Sequence, residues 1–429
     1  MVEGAFFQGI ASILINLARF AIIIILIRYY SKEEFGLWAA ITSSAAVIAT
    51  GDFGIVNALR NKMSKLIVSG KEGLEECRLY FFSSFYFFLL LSAVLSITVY
   101  WLSTILPFES LFKTDNAYLK EQGVAILLWI QCLFFINIPL ALGIPLFFSF
   151  QEAKISAILS FIQSMLSFIC VIVLVWLKKD IVSISIVYFS TNVFVSLLGT
   201  LVFLYKRRWF NIKIQAARFV GIIKELLLVG WKFMGVQLTG SYLKNIGVIL
   251  SSAVLSVSAA ADFSIVQKLY AFGQGIYSSM LNPIWGGYAD AHARNDKQWC
   301  KHTLSKSINF TAVYFIVLLA SIMAFGNIIV KLAGAGNYHI SYILYLLFGL
   351  LTLSMAFFEC SALIQSAINK INVLLIILSV ASLIVFPIAK NVALPYGLSG
   401  LVLVLTLIWI ALTVISYFQS RSIIHKISE

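Results

Sequence analysis

The sequence predicts an all-α integral membrane protein of about twelve transmembrane helices, arranged as two pseudo-symmetric six-helix lobes around a central cavity. Three observations predict it. Of 429 residues, 61% are apolar and 11% are charged, a balance that excludes a water-soluble fold of this size. Apolar stretches recur along the whole chain; at about 20 residues per crossing, twelve spans use roughly 250 residues and leave only short connections. Lys and Arg number 31 against 18 Asp and Glu, and the surplus gathers in alternate connections, as expected where cations stay on the cytoplasmic face.

The first span, 5–27, follows Met1-Val-Glu-Gly-Ala-Phe-Phe, which has no basic leader, and it contains Arg19; it reads as a retained helix rather than a signal peptide. Span 35–57 begins after Ser31-Lys32-Glu33-Glu34 and runs out towards Arg60 and Lys62. Span 79–105 carries Phe81, Phe82, Phe85, Tyr86, Phe87 and Phe88, which go round the helix and so predict lipid contact. Span 122–148 holds Pro139 and Pro145, and Lys178-Lys179-Asp180 separates 155–177 from 182–205. The basic stretch 206–225 divides the chain. Its Ile212, Ile214, Phe219, Ile222 and Ile223 among Lys213, Arg218 and Lys224 fit an interfacial amphipathic linker, or else the start of the next helix. Beyond it lie 226–255, 261–286 with Pro283, 307–328, 340–366, 371–389 and 397–418, then a tail, 419–429. The lobes are therefore 1–205 and 226–418. Nineteen cations fall on the side of the linker and tail and eight on the other, which places both termini in the cytoplasm. That distribution accounts for the positive charge without a nucleic-acid partner. Glu34-Phe35-Gly36 and Asp262-Phe263-Ser264, each following an apolar span and a polar turn, suggest a repeat between the lobes, an arrangement of secondary transporters.

Ionisable side chains inside spans are costly and mark functional sites unless they reach the interface. Arg19, with Asn16 beside it, and Lys244, with Asn245, lie near mid-span at nearly equivalent distances from the two repeat anchors, and are candidates for binding an anion in the cavity. Lys268 is a further candidate or an interface anchor. Glu359 lies among apolar neighbours, as either a group that binds a proton or sodium ion or half of an ion pair with a buried lysine. Asp52 is either a second coupling group or a helix-end carboxylate paired with Arg60 or Lys62. Pro139, Pro145 and Pro283 are candidate hinges or static bends. The five cysteines form no scaffold and the four histidines lack ligand spacing, so no metal and no cofactor is expected. No P-loop, GxSxG, HExxH or dinucleotide turn is present, and no catalytic residue is assigned.

Several stretches resemble the bacterial polysaccharide and O-antigen flippases, the lipid-linked oligosaccharide transporters of the multidrug/oligosaccharidyl-lipid/polysaccharide exporter superfamily. They are Ser31-Lys32-Glu33-Glu34-Phe35-Gly36-Leu37-Trp38, Gly51-Asp52-Phe53-Gly54-Ile55, and Asn282-Pro283-Ile284-Trp285 running to Tyr288-Ala289-Asp290-Ala291. The resemblance implies alternating access in the bacterial inner membrane. A polyprenyl-diphosphate-linked oligosaccharide, a precursor of O-antigen, lipopolysaccharide or capsule, would cross while its lipid tail stays in the bilayer. Arg19 and Lys244 would bind diphosphate or acidic sugars. Membrane lipids and the polymerase and chain-length proteins of the same pathway are the implied partners. The alternative from another class is a membrane-embedded glycan polymerase or ligase, disfavoured because the outward loop at 107–121 is short and holds few charges.

Overall fold

In lipid an extended backbone has no hydrogen-bond partners, so long apolar runs fold as helices. The computed structural model describes residues 2–48, 54–67, 70–105, 114, 116–209, 216–332, 340–368 and 370–426. These residues form α1 (Val2–Tyr29), α2 (Lys32–Ile48), α3 (Ile55–Leu66), α4 (Gly70–Ile105), α5 (Ala117–Leu140), α6 (Gly143–Leu146) and α7 (Ala153–Trp176). They continue with α8 (Ile181–Arg207), α9 (Ala216–Leu250), a π-helical turn (Ser251–Leu255), α10 (Val257–Ala293), α11 (Lys297–Leu332), α12 (Tyr342–Ala367) and α13 (Asn372–His425). No strand occurs among the described residues. The helices expected from the sequence are present, and the chain is an all-α, multi-pass membrane protein. Among the described residues seven stretches, within α4, α5–α6, α7, α8, α11, α12 and α13, are long and apolar enough to cross a membrane by length and composition.

The ends of these helices follow local chemistry. At α2, Ser31 and Glu34 form a reciprocal capping box: the Glu34 carboxylate accepts from the Ser31 N–H at 2.8 Å, and the Ser31 hydroxyl accepts from the Glu34 N–H at 3.2 Å. Asn116 caps α5 by accepting from the N–H groups of Tyr118 and Leu119. Arg208, in the left-handed region at φ 55°, ends α8, and the N–H of Trp209 returns to the carbonyl of Leu204. Of the two readings of 206–225, the second holds for its latter part: 216–225 is the start of α9. Residues 210–215 lie outside the described residues.

The chain divides into two compact units. The first, Met1–Ile22 with Ile41–Ser241, is centred on aromatic residues. Phe203 of α8 stacks on Phe81 with ring centroids 5.5 Å apart and meets Phe147, Phe150 and Trp209 edge-on at 5.4–5.7 Å. Phe81 and Phe88 are fully buried there, which corrects the expectation that the α4 aromatics face lipid. The ring-around pattern hid an inward face; of the six, Tyr86 is exposed. The guanidinium of Arg207 lies 3.8 Å and 3.9 Å from the ring centroids of Phe150 and Phe203, and it donates to Glu152 at 2.8 Å. After Pro139, α5 breaks before α6. Thr200 satisfies both groups freed by the break: its hydroxyl accepts from the Gly143 N–H at 2.9 Å and donates to the Leu140 carbonyl at 2.6 Å. Pro145 lies in α6 itself, and α10 runs helically through position 283.

The second unit is Ile23–Ala40 with Tyr242–Glu429, so the corner between α1 and α2 packs with the C-terminal helices. Lys32 pairs with Asp262 at 2.7 Å, joining the two repeat anchors, and Phe35 and Phe263 are both buried. A Cβ on Gly36 would lie 1.9 Å from the Val257 carbonyl oxygen, so α2 approaches the start of α10 through a missing side chain. At 54 residues, α13 would be about 80 Å long if straight, far beyond a bilayer core of about 30 Å. Gly397 resolves this at φ 60°, ψ −147°, a conformation open essentially to glycine. The segment after it runs parallel to α12, because Thr413 donates to the Ser354 carbonyl and Ser420 to the Ser361 carbonyl, both at a separation of 59 residues. The segment before Gly397 therefore carries the chain back, as the separate spans 371–389 and 397–418 anticipate.

Candidate functional site

Within the second unit, α9, α10, α12 and α13 surround a cavity of about 340 Å³. Its polar wall comes from α9, through Lys244 and Asn245, and from α10, where Gln267, Gln274 and Ser278 recur at helical spacing with Ala271 between them. Lys268 lies next to that stripe and is half-buried. From α12 come Thr352 and Glu359; Phe263, Phe348 and Trp409 supply the apolar and aromatic part. Phe263 meets Phe348 edge-on, with centroids 4.7 Å apart, and Trp409 of α13 meets Phe358 at 5.3 Å. These contacts fix the wall from behind.

Lys244 donates to Glu359 Oε1 at 2.6 Å, tying α9 to α12 across the cavity. The pair is accessible: the side chains retain 44% and 25% of their exposure. The Gln267 amide donates to the Lys244 carbonyl at 3.0 Å, which fixes the backbone carrying the lysine. Formal charge on the wall is one carboxylate against two ammonium groups, Lys244 and Lys268. Such a surface offers an anion a charge-assisted contact, and its amides and hydroxyls offer a polyhydroxylated ligand neutral hydrogen bonds.

Four of the residues singled out in the sequence, Lys244, Asn245, Lys268 and Glu359, thus line one cavity. Of the two readings of Glu359, the geometry provides a lysine partner. Arg19 and Asn16 belong to the first unit, on α1, where Arg19 is exposed and Asn16 half-buried. Asp52 lies outside the described residues. Lys62, one of its suggested partners, pairs with Glu225 at 2.6 Å among the described residues, and Tyr80 donates to the same carboxylate at 2.5 Å. Burial alone would raise the Glu225 carboxyl pKa, but the hydrogen bonds from Lys62 and Tyr80 outweigh it and hold the carboxyl below its ordinary range. Gln267, Gln274, Ser278 and Thr352 escape a search for charges in spans; the signal of the first three is the polar spacing along α10.

A model of the family described as polysaccharide biosynthesis protein matches residues 1–284. Among solved structures, the inward-facing conformation of a multidrug resistance MATE family transporter of the MOP superfamily is similar at 14% identity and a TM-score of 0.73, covering 97% of this chain and 95% of that one. A MOP superfamily transporter from Pyrococcus furiosus, described by the reverse polarity of its binding pocket, is similar at 15% identity and a TM-score of 0.67, over 100% and 96% of the two chains. The outward-facing conformation of a multidrug resistance MATE family transporter gives a TM-score of 0.65 at 15% identity, over 99% and 96%. No curated protein matches the chain. The fold is thus that of MOP superfamily transporters, and the chain belongs to the polysaccharide biosynthesis protein family.

Proposed function

We propose that the protein is a flippase that carries a polyprenyl-diphosphate-linked oligosaccharide, a repeat unit of O-antigen or of capsule or exopolysaccharide, from the inner to the outer leaflet of the bacterial cytoplasmic membrane. The observation that carries this reading is the cavity at Lys244 and Glu359, cationic on balance and walled by amides and hydroxyls as well as aromatic rings. Its chemistry suits a ligand that is at once anionic and sugar-like. Family membership supports a role in polysaccharide biosynthesis, and relatives of the same fold in inward-facing and outward-facing conformations support alternating access.

In this mechanism the substrate's anionic group replaces Glu359 as the partner of Lys244. A diphosphate leaving water loses its hydration, and Lys244 and Lys268 replace part of it; Arg19, in the first unit, is a separate candidate for binding an anion. Glu359, displaced from its lysine, becomes available to a proton or a sodium ion, which couples substrate occupancy to an ion gradient. Asn16 and Asn245 offer hydrogen bonds to sugars. Pro139, Pro145 and Pro283 are hinge candidates for the change between the two access states, and Asp52 is a second candidate for ion coupling. Both termini lie in the cytoplasm, and the polymerase and chain-length proteins of the pathway receive the product. Membrane lipids solvate the prenyl tail.

Cells depleted of the protein are expected to accumulate complete lipid-linked repeat units on the inner leaflet, because synthesis continues while crossing stops. Units that reach the outer leaflet and merely fail to be joined would overturn this reading in favour of a polymerase or ligase.

A further inference from the structure

A second cavity, of about 430 Å³, opens in the same unit where α11 begins and α13 ends. Both helices pack on α12, and a groove is left between them at this end. Lys297, Lys301, Ser305 and Asn309 follow one another at four-residue intervals along one face of α11, and Tyr417, Arg421 and His425 do the same on α13. The floor is apolar and firm, since Leu304 and Ile424 are buried in the core with Tyr288 and Ile364.

Three formal positive charges and a histidine thus converge on a groove in which, among the described residues, no lining residue is acidic. Among the described residues no carboxylate lies within ion-pair distance of Lys301 or Arg421. Lys297 donates to the His425 carbonyl at 2.9 Å, covering the negative end of α13 that would repel an anion, while the first turn of α11 presents the positive end of its dipole. Arg421 lies 5.8 Å from the ring centroid of Tyr417. The same two faces then turn apolar and stay open: Val313 and Ile316 on α11 are 63% and 57% exposed, and Val414 and Ile410 on α13 are 48% and 45% exposed. Cations at the helix ends over an exposed apolar strip match the two halves of a lipid, headgroup above and acyl chains below.

We propose that this groove is a binding site for an anionic phospholipid. Its phosphodiester lies among Lys301, Arg421 and Lys297, the glycerol backbone and its ester carbonyls meet Ser305 and Asn309, and the acyl chains follow the strip from Val313 and Val414. The site shares no lining residue with the cavity at Lys244. It stands whether or not that cavity carries an oligosaccharide. A bound lipid bridges α11 to α13 and replaces the repulsion among the cations with attraction, so occupancy stabilises this end of the unit.

The test uses the purified full-length protein in detergent, followed by native mass spectrometry and thermal unfolding while phosphatidylglycerol or phosphatidylcholine of the same chains is added. Phosphatidylglycerol adducts are expected to persist and to raise Tm by several degrees, and phosphatidylcholine to do neither. Lys301→Gln with Arg421→Gln is expected to weaken phosphatidylglycerol retention by about tenfold or more, the scale of a lost charge-assisted contact. Lys306→Gln with Lys370→Gln, which removes the same charge outside the groove, leaves retention unchanged. Lys301→Arg with Arg421→Lys retains the lipid, which keeps the test decisive if the glutamine pair unfolds. The proposal is overturned if the glutamine pair holds phosphatidylglycerol as the parent does, or if phosphatidylcholine is held equally. It is also overturned if inorganic phosphate alone gives the same Tm rise, or if polyprenyl diphosphate is retained here and phosphatidylglycerol is not.

Discussion

The Lys244–Glu359 pair, 2.6 Å long and open to the cavity, gives the proposed mechanism its most specific requirements. A contact between an ammonium group and a phosphate contributes about 1.5–3 kcal/mol, so Lys244→Ala is expected to lower transport about 10- to 100-fold at normal membrane levels. Lys244→Arg should keep part of it, because charge rather than shape is being used. Glu359→Gln is expected to transport without dependence on an imposed ion gradient, measured in proteoliposomes; unchanged gradient dependence would leave Glu359 a structural partner of Lys244. Arg19→Ala tests separately the anion-binding role proposed for α1. At this scale the sequence made the charged members of the cavity visible, because Lys244, Lys268 and Glu359 are expensive in a span and so conspicuous. Gln267, Gln274 and Ser278 were not conspicuous, since uncharged polar groups cost little there and single ones occur in any helix. Which partner Glu359 takes depends on which distant helix faces α12 across the cavity, which no spacing rule reports.

Helices 115 residues apart in sequence meet at that pair, and other elements are tied in the same way. Glu152, just before α7, accepts from Lys206 at 2.6 Å and from Arg207 at 2.8 Å. Burial alone would raise its carboxyl pKa, but the two cations outweigh burial and hold it below the ordinary value. Because the folded-state value is the lower one, the stabilisation is fully present above the unfolded value of about 4.3 and is lost as pH falls through the folded value. Glu152→Gln is therefore expected to cost about 1–3 kcal/mol near neutrality, leaving Arg207 among its aromatic rings without a charge partner. The gap in thermal stability between the parent and this variant should close as the pH is lowered below about 4. A gap that widens on acidification would contradict the assignment. Gly36→Ala places a methyl group against the Val257 carbonyl and should destabilise by about 1–3 kcal/mol, read as a lower Tm in detergent. Helix positions were legible from hydropathy alone. The turn at Gly397 was legible only as a gap between two apolar runs, and the clamp of Thr200 on the break after Pro139 was not legible at all. The clamp depends on which distant group satisfies the freed backbone.

For the whole molecule, the division into units shows where pattern reading stops. Hydropathy and the basic linker separate an N-terminal from a C-terminal half. Yet Ile23–Ala40 packs with the C-terminal helices, through Lys32, Phe35 and Gly36 against Asp262, Phe263 and Val257. Long-range complementarity of this kind leaves no periodic trace. The fold class was nevertheless evident from composition, because few folds other than a multi-pass helical one can hold so apolar a chain. Orientation is testable by single-cysteine labelling in a cysteine-free background. Position 224 is expected to react from the cytoplasm and position 178 from the opposite side, and the reverse would invert the sidedness of the proposed transport. The central claim is tested most directly by reconstituting the protein in proteoliposomes with a fluorescent polyprenyl-diphosphate oligosaccharide in one leaflet and measuring its appearance in the other. Transfer that requires the protein and falls at least about tenfold with Lys244→Ala is the predicted result. A rate equal to that of protein-free liposomes, with the protein folded and its partners in the coupling gradient supplied, would contradict it.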